Sequence, residues 1–539
     1  MKVVIIGGVA GGMSAATRLR RLDETAEIVV LEKSGFVSYA NCGLPYYVGG
    51  VISKEDALLL QTPASLHARF KLDVRVNSEV VSINRAAKYV ETKSGEKISY
   101  DKLILSPGAK PVQLPISGIE KALTLRTVED VKRIHDLVAK KPKTAVVVGG
   151  GFIGLEMAEN LVHQGIKTTL IEALPQVLGP LDPELATFVE AELIKHGVEV
   201  KLNAKIDGIF ESSIKVDGIE IPAELIISAV GVKPDIELAK SADIQIGERG
   251  GIAVNDFNQT SDPDIYAIGD VAEKKDALDG TATLVPLANL ANRHGRIVSD
   301  HILGRKVRVV PTIATAIVKV FDLTIATTGW GAKKLKAAGR DFAQIHTHPN
   351  HHAGYYPGSK QISLKLIFDP KTGEIFGAQG VGAEGVDKRI DVIATAIRGG
   401  ITAPELADLE LAYAPPFGSA KDPINMLGYI AENMISGLTQ TVQWNELEDY
   451  ANAGYEFLDV RTPSEFERGT IPNSKNISVD DLRTRYKEIS KKNVIVNCQV
   501  GQRGHTASLL LNELGFNAKN LDGGYLTWKN SPANPERKK

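Results

Sequence analysis

The chain holds two cysteines in 539 residues, Cys42 and Cys498, and the glycine and asparagine beside Cys42 are not core-like neighbours. Cys42 lies in Ser38-Tyr39-Ala40-Asn41-Cys42-Gly43-Leu44-Pro45-Tyr46. A helix beginning near Cys42 would set the sulfur at the positive end of a helix dipole, which lowers a thiol pKa and favours thiolate. No C-x-x-C or C-x4-C partner is present, so a disulfide formed by Cys42 must be to a substrate thiol or to Cys498. Cys498 lies in Val496-Asn497-Cys498-Gln499-Val500-Gly501-Gln502-Arg503-Gly504-His505, where a strand runs into a loop and then a helix. Such a loop aims successive backbone N–H groups at the sulfur and stabilises a thiolate or persulfide.

Two further segments supply the scaffold. Val3–Ile6 runs into Gly7-Gly8-Val9-Ala10-Gly11-Gly12, a helix-like stretch from Met13 to Leu22, and a strand Ile28–Leu31 closed by Glu32. Ala145–Val148 runs into Gly149-Gly150-Gly151-Phe152-Ile153-Gly154, a helix-like stretch through His163, and a strand Thr168–Ile171 closed by Glu172. The second is a full G-x-G-x-x-G, through Gly149, Gly151 and Gly154, and the first has Val9 at the middle glycine. Both are dinucleotide fingerprints: glycines allow the tight turn, the helix N-terminus faces a pyrophosphate, and the closing Glu accepts from ribose hydroxyls. A carboxylate at Glu172, with no arginine in Ala173-Leu174-Pro175-Gln176, favours NADH over NADPH.

Further strands are expected at Leu103–Leu105, Ile265–Ile268, Ile313–Val320 and Gln361–Phe368, with a helix over roughly Gly385–Arg398. A break falls near Ser436–Thr441, and the segment of about 100 residues beyond it has the size of an independent domain. Its strands Glu456–Val460 and Val494–Asn497 alternate with helical stretches, and the tail from Pro532 to Lys539 reads as polar and frayed.

Composition limits the function. Lys+Arg of 63 against Asp+Glu of 65 gives a net charge of -2, without the basic excess of a nucleic-acid binder. No run of about 18 apolar residues is present to cross a membrane. The N-terminal strand is too short for a signal peptide, and the scarcity of cysteine points to a reducing cytoplasm.

Residues 1–437 resemble the single-cysteine branch of the FAD- and NAD(P)-dependent pyridine nucleotide-disulfide reductases, above all the coenzyme A-disulfide reductases and persulfide reductases. The motifs are Gly-Gly-Val-Ala-Gly-Gly-Met-Ser-Ala-Ala at 7–16, Ser-Tyr-Ala-Asn-Cys-Gly-Leu-Pro-Tyr at 38–46, Tyr-Ala-Ile-Gly-Asp at 266–270 and Tyr-Ala-Pro-Pro-Phe at 413–417, continued by Ser-Ala-Lys-Asp-Pro-Ile-Asn-Met at 419–426. Residues 440–535 resemble a rhodanese domain, through Leu458-Asp459-Val460-Arg461, Gly469-Thr470-Ile471-Pro472, C-x4-R at 498–503 and Leu521-Asp522-Gly523-Gly524-Tyr525 with Trp528. Thr470 replaces a common histidine, and Gly504 stands where a hydroxyl residue is frequent.

The resemblance implies an α/β chain with two Rossmann-like nucleotide-binding domains (FAD over 1–110 and 240–308, NAD(P)H over 111–239), an α+β dimerisation domain over 309–437 and a C-terminal α/β rhodanese domain over 440–535. It implies FAD held by Gly7, Gly8, Gly12, Glu32, Lys33, Gly108, Gly269 and Asp270, and NADH held by Gly149, Gly151, Gly154 and Glu172. Coenzyme A would be met by Ser14, Arg18, Arg21, Ser38, Asn41, His294 and Lys421. Arg18 and Arg21, one helical turn apart, suit its phosphates. Cys42 would alternate between thiolate and a mixed disulfide with coenzyme A. Tyr413 with Tyr355 or Tyr356 of the partner subunit would donate to the leaving sulfur. Cys498, with Arg503, would carry sulfane sulfur. His346, His348, His351 and His352 invite a metal reading, but no acid or cysteine completes the group, and a polar loop beside Tyr355 and Tyr356, without metal, is expected.

The implied activity is NADH-dependent reduction of coenzyme A persulfide, polysulfide or coenzyme A disulfide by a cytoplasmic homodimer acting on small sulfur compounds, with neither nucleic acid nor membrane as partner. The fused rhodanese tilts the expectation towards persulfide or polysulfide. The rivals are an NADH oxidase or peroxidase using a Cys42 sulfenate, and a non-enzymatic redox sensor.

Overall fold

The computed structural model describes residues 1–538. The chain forms two compact units, Met1–Pro175 with Gly197–Ile313, and Gln176–His196 with the chain from Ala314 on. The segment Gln176–His196, expected within the second nucleotide-binding region, thus packs with the later part of the chain.

The first unit holds two parallel sheets. In one, Ile265–Ala267, Lys102–Leu105, Lys2–Ile6, Glu27–Leu31 and Asp73–Arg75 lie side by side in that order. Val3, Val4, Ile5, Leu103 and Ile104 are fully buried, which is why these strands read as continuous apolar runs rather than alternating ones. The second sheet orders Glu199–Lys201, Lys167–Ile171, Thr144–Val148 and Leu225–Ser228. Each first strand is followed at once by its glycine turn and a helix, Ala10–Leu22 and Phe152–His163. The helix expected at Cys42 is reduced to a turn of 3-10 helix, Asn41–Gly43, followed by the five-residue helix Leu44–Val48.

The second unit also contains two sheets. An antiparallel one orders Ala316–Val320, Leu323–Gly329, Ile375–Gly382, Ile362–Phe368 and Ala343–Thr347. Its apolar face packs on the helices Val386–Gly399 and Pro423–Ile435, with Leu364, Leu366, Phe368, Ile390, Ile393 and Leu427 at the centre. The final segment forms a parallel sheet in the order Thr441–Val442, Asn517–Leu521, Asn493–Asn497, Glu456–Asp459 and Ser474–Asn476.

The tail departs from its expectation. Asn534 is buried and donates to Lys529 O at 2.9 Å, and Arg537 pairs with Glu190 at 3.2 Å. Lys539 lies outside the described residues.

Candidate functional site

The two glycine turns are built alike. Glu32 accepts from the N–H of Gly8 at 2.8 Å and of Ser34 at 2.9 Å. Glu172 accepts from the N–H of Gly150 at 2.6 Å and of Leu174 at 2.8 Å. Each closing carboxylate therefore pins its own turn, a task the fingerprint reading had left out, and its remaining lone pairs are what a ribose hydroxyl would meet. Gly7 has φ +100°, and a side chain there would collide with the Ser106 carbonyl. Gly151 is different: a Cβ there meets nothing within 4 Å. Its hydrogen leaves open the space before the N-terminus of helix Phe152–His163, as a closely approaching pyrophosphate requires.

Around Cys42 the loop is fixed from both sides. Ser38, at φ 49°, donates its N–H to Gly8 O at 2.8 Å, and Ala40 donates to Leu58 O at 2.8 Å. With its amide oxygen and nitrogen assigned so that both are satisfied, Asn41 donates to Arg126 O at 3.3 Å and accepts from Arg126 Nη1 at 3.2 Å. Arg126 in turn donates from Nη2 to Asp270 at 2.9 Å and from Nε to Ala109 O at 3.2 Å. One guanidinium thus joins the neighbour of Cys42 to the acid of the 266–270 motif. On the other side Tyr46 donates to Glu156 Oε1 at 3.1 Å. Burial lifts the Glu156 carboxyl to about 7, with the Tyr46 bond opposing and the Glu159 charge adding.

The expected lowering of the Cys42 thiol is not found. Cys42 is exposed, yet the protein packed beside it removes enough water to raise the thiol, and the Glu156 charge raises it further. Arg126 opposes both. A helix as short as Leu44–Val48 supplies too little dipole to reverse the sign.

The expected coenzyme A contacts are not all in one state. Ser14 donates to Asn292 Oδ1 at 2.7 Å. Arg18 is turned onto Asp300, at 2.7 Å from Nη2 and 3.1 Å from Nε, while Arg21 is exposed in the last turn of its helix. His294 departs from an open ligand contact: it is buried, its Nδ1 lies 3.2 Å from the Asn258 amide nitrogen, and burial pushes the ring down to about 3, which keeps it neutral. Lys33 is exposed and pairs with Asp235 at 3.3 Å.

In the second unit Tyr355 and Tyr413 bring their hydroxyls within 3.0 Å of each other, both side chains exposed. Tyr356 is held otherwise, its carbonyl 3.3 Å from His352 Nε2 and its ring edge-on to that histidine. Lys421 is exposed one residue before Asp422, which caps the helix Pro423–Ile435.

Cys498 is fully buried, and its Sγ accepts from the N–H of Gly501 at 3.2 Å. Only this one of the expected successive N–H groups lies within bonding distance among the described residues. Arg503 makes a two-pronged bond to Glu465, at 2.8 and 2.7 Å, and this bond brings the Glu465 carboxyl down to about 2. Buried Arg461 binds Asp459 and reaches Gln499 Oε1 at 3.2 Å, and Thr470 donates to the same Asp459 at 3.0 Å.

Of the four histidines, His351 and His352 lie in the expected loop, with His352 against Tyr356, and the other two do not share it. His346 and His348 lie on and just after the strand Ala343–Thr347, both buried. Acids do flank His346, Glu184 and Asp522, from positions no local spacing could reveal. Arg126 and Glu156 escaped sequence reasoning too, while Arg461 enters it only within the Leu458-Asp459-Val460-Arg461 motif. Glu156 alone carried a signal, an acid two residues past Gly154 on a helix that faces a nucleotide.

Residues 1–295 match the pyridine nucleotide-disulphide oxidoreductase family, residues 315–422 that family's dimerisation domain, and residues 442–531 the rhodanese-like domain. The chain is 36% identical over 439 residues to the coenzyme A disulfide reductase of Staphylococcus aureus strain JH9, spanning 80% of this chain and 100% of that one. It superposes on reduced Bacillus anthracis CoADR-RHD with a TM-score of 0.96 at 46% identity, covering 98% of each chain. It superposes on an NAD-dependent persulfide reductase from A. fulgidus with a TM-score of 0.93 at 37% identity, covering 98% of this chain and 100% of that one.

Proposed function

This chain belongs to the pyridine nucleotide-disulphide oxidoreductase family, and from that premise we propose that it reduces coenzyme A persulfide, polysulfide or coenzyme A disulfide through Cys42, while its rhodanese-like domain handles sulfane sulfur at Cys498. It is an FAD-dependent oxidoreductase that uses NADH. The match of residues 315–422 to the dimerisation domain supports a homodimer. No helix among the described residues is long and apolar enough to cross a membrane.

The observation that carries the reading is the setting of Cys42: an exposed thiol, the only cysteine of its unit, tied through Asn41 and Arg126 to Asp270. The residues fit the cofactors, through the two pinned glycine turns and the open space at Gly151. When bound, FAD supplies the relay that takes an electron pair from NADH to sulfur.

With coenzyme A persulfide, the Cys42 thiolate attacks the sulfur attached to coenzyme A, and hydrosulfide leaves. Two-electron reduction of the mixed disulfide then returns the Cys42 thiolate and releases the coenzyme A thiol. Arg126 favours the thiolate and Glu156 opposes it. To Tyr355 and Tyr413 of the partner subunit, whose hydroxyls lie 3.0 Å apart, we assign donation to the departing sulfur. Arg21 and Lys421, both exposed, are the cations offered to the coenzyme A phosphates, with Arg18 joining on release from Asp300.

The test is intact mass of the purified protein with and without reductant, joined to NADH turnover with coenzyme A persulfide, coenzyme A disulfide and peroxide. A reducible coenzyme A adduct on Cys42 and turnover with either coenzyme A substrate are expected. Turnover with peroxide alone would install the sulfenate rival, and no turnover at all the sensor.

A further inference from the structure

Along the edge strand Ala343–Thr347 and its continuation, alternate side chains Gln344, His346 and His348 each bond a residue of the final segment. Gln344 Nε2 donates to Gln443 Oε1 at 3.0 Å, and His348 Nε2 lies 2.7 Å from Thr527 Oγ1. His346, between them, has Nδ1 at 2.6 Å from Asp522 and Nε2 at 2.8 Å from Glu184, and its backbone N–H donates to Asp522 as well. Lys365, opposite His346 in the sheet register, bonds Glu184 at 2.5 Å and Asp182 at 2.9 Å. Asp182 is completed by the Gln379 amide and the Ala332 N–H. All five charged side chains are at least nine-tenths buried.

The far end of this chain abuts the Cys498 loop. Asp522 opens the turn Asp522-Gly523-Gly524-Tyr525, whose two glycines both have positive φ. A Cβ on Gly523 would lie 2.7 Å from His346 Cβ, and a Cβ on Gly524 would lie 2.8 Å from Gly501 N and 2.9 Å from Val500 N. The turn is therefore pressed between His346 on one side and the loop of Cys498 on the other. It also holds that loop by hydrogen bonds, from Tyr525 N–H to Cys498 O at 2.7 Å and from Leu526 N–H to Gln499 O at 3.0 Å.

We propose that the buried ion chain from Asp182 through Lys365, Glu184 and His346 to Asp522 positions the Cys498 loop, with His346 as the pH-dependent link. The inference rests on the reading of Cys498 as the sulfur carrier. Both ring nitrogens of His346 face carboxylates, so only the imidazolium donates to both. Three carboxylates meet two cations, so the loss of the His346 proton adds to a buried negative charge that is already in excess. Burial disfavours the charged ring, but the charge and hydrogen bond of Asp522 and the bond of Glu184 outweigh it, and the His346 pKa is raised. Lys365 charge opposes this rise, and neutral His348, whose own pKa falls to about 3 through burial and His346, adds no competing charge. A raised folded-state value means that the clamp is complete below the ordinary histidine pKa and is lost as pH rises through the raised one. His346 is a positioning residue: it touches the turn and not the sulfur.

The experiment is amide hydrogen exchange of the full-length holoprotein across a pH series, corrected for intrinsic exchange, with His346→Gln alongside. In wild type, protection of 498–505 and 522–528 should fall at alkaline pH while 41–48 keeps its protection. His346→Gln should show about tenfold faster exchange in those two segments at neutral pH, the size of a weakened buried hydrogen bond to a charge, and no alkaline step. Equal protection in both proteins at every pH overturns the proposal, as does loosening spread evenly over the chain. If His346→Gln does not fold, the wild-type series decides by itself, since an absent alkaline step in 498–505 overturns the clamp. Loading of Cys498 by inorganic polysulfide, read by mass spectrometry of the 498 peptide, should fall in parallel. A clamp that loosens as described in a protein whose Cys498 never loads would overturn the sulfur-carrier reading and leave the clamp standing.

Discussion

The Tyr46 hydroxyl donates to Glu156 Oε1 at 3.1 Å, across 110 residues of sequence, and so joins the Cys42 loop to the first turns of the second fingerprint helix. The carboxyl it holds titrates at about 7, in the range where the enzyme would operate. As pH rises through that value, Glu156 gains charge and pushes the Cys42 thiol up. Glu156→Gln should therefore move the pH profile of Cys42 alkylation by iodoacetamide to lower pH and steepen it to a single titration. A profile unmoved, or moved to higher pH, would contradict this electrostatic account.

Cys42→Ser should retain bound flavin and its reduction by NADH, because neither needs the thiol. NADH consumption with coenzyme A persulfide should fall by roughly 10³ or more, since a serine hydroxyl at its free pKa is a poor nucleophile. The flavin spectrum before and after NADH, beside steady-state turnover, checks both halves.

The carboxylate of Glu172 pins its turn and repels a 2′-phosphate, and Ala173-Leu174-Pro175 offers no cation in exchange. kcat/KM for NADH should exceed that for NADPH by roughly tenfold or more, the scale of an uncompensated like-charge contact. Glu172→Gln should narrow the ratio while keeping the turn, because a glutamine oxygen still accepts from Gly150. A preference for NADPH in wild type would overturn the assignment.

Cys498→Ser should leave NADH-driven reduction of small coenzyme A persulfides within about twofold of wild type, as expected if the two cysteines act independently. Sulfur loading from inorganic polysulfide should be lost. Loss of both activities would make Cys498 an obligatory relay to Cys42, and loss of neither would make the rhodanese-like domain a scaffold.

Local features were legible in the sequence, and features made by distant residues were not. The glycine turns, the strands beside them and the Cys498 loop are set within a dozen residues each, and the motifs announce them. The Cys42 thiol misled because the sequence shows a helix start but not the helix length, nor Glu156 brought in from the second fingerprint helix. Arg126 lies 85 residues from Asn41 and 144 from Asp270 in a stretch with no motif, so its bridging role exists only in three dimensions. The roles of His346 and His348 are hidden from the sequence because their partners, Asp522 and Thr527, lie 176 and 179 residues away.

The seam between the edge strand and the final segment sets where this chain tolerates being cut. The linker that invites a boundary is short, and Thr439 within it is buried, its hydroxyl 2.8 Å from His505 Nδ1. Making either piece without the other would strip His346 and His348 of Asp522 and Thr527, and would bare Glu184 and Lys365 to water on one piece and Asp522 on the other. The covalent linker is therefore only part of what joins the two. Neither piece presents a finished surface, and the rhodanese-like portion is a detachable module in sequence but a fitted part in space.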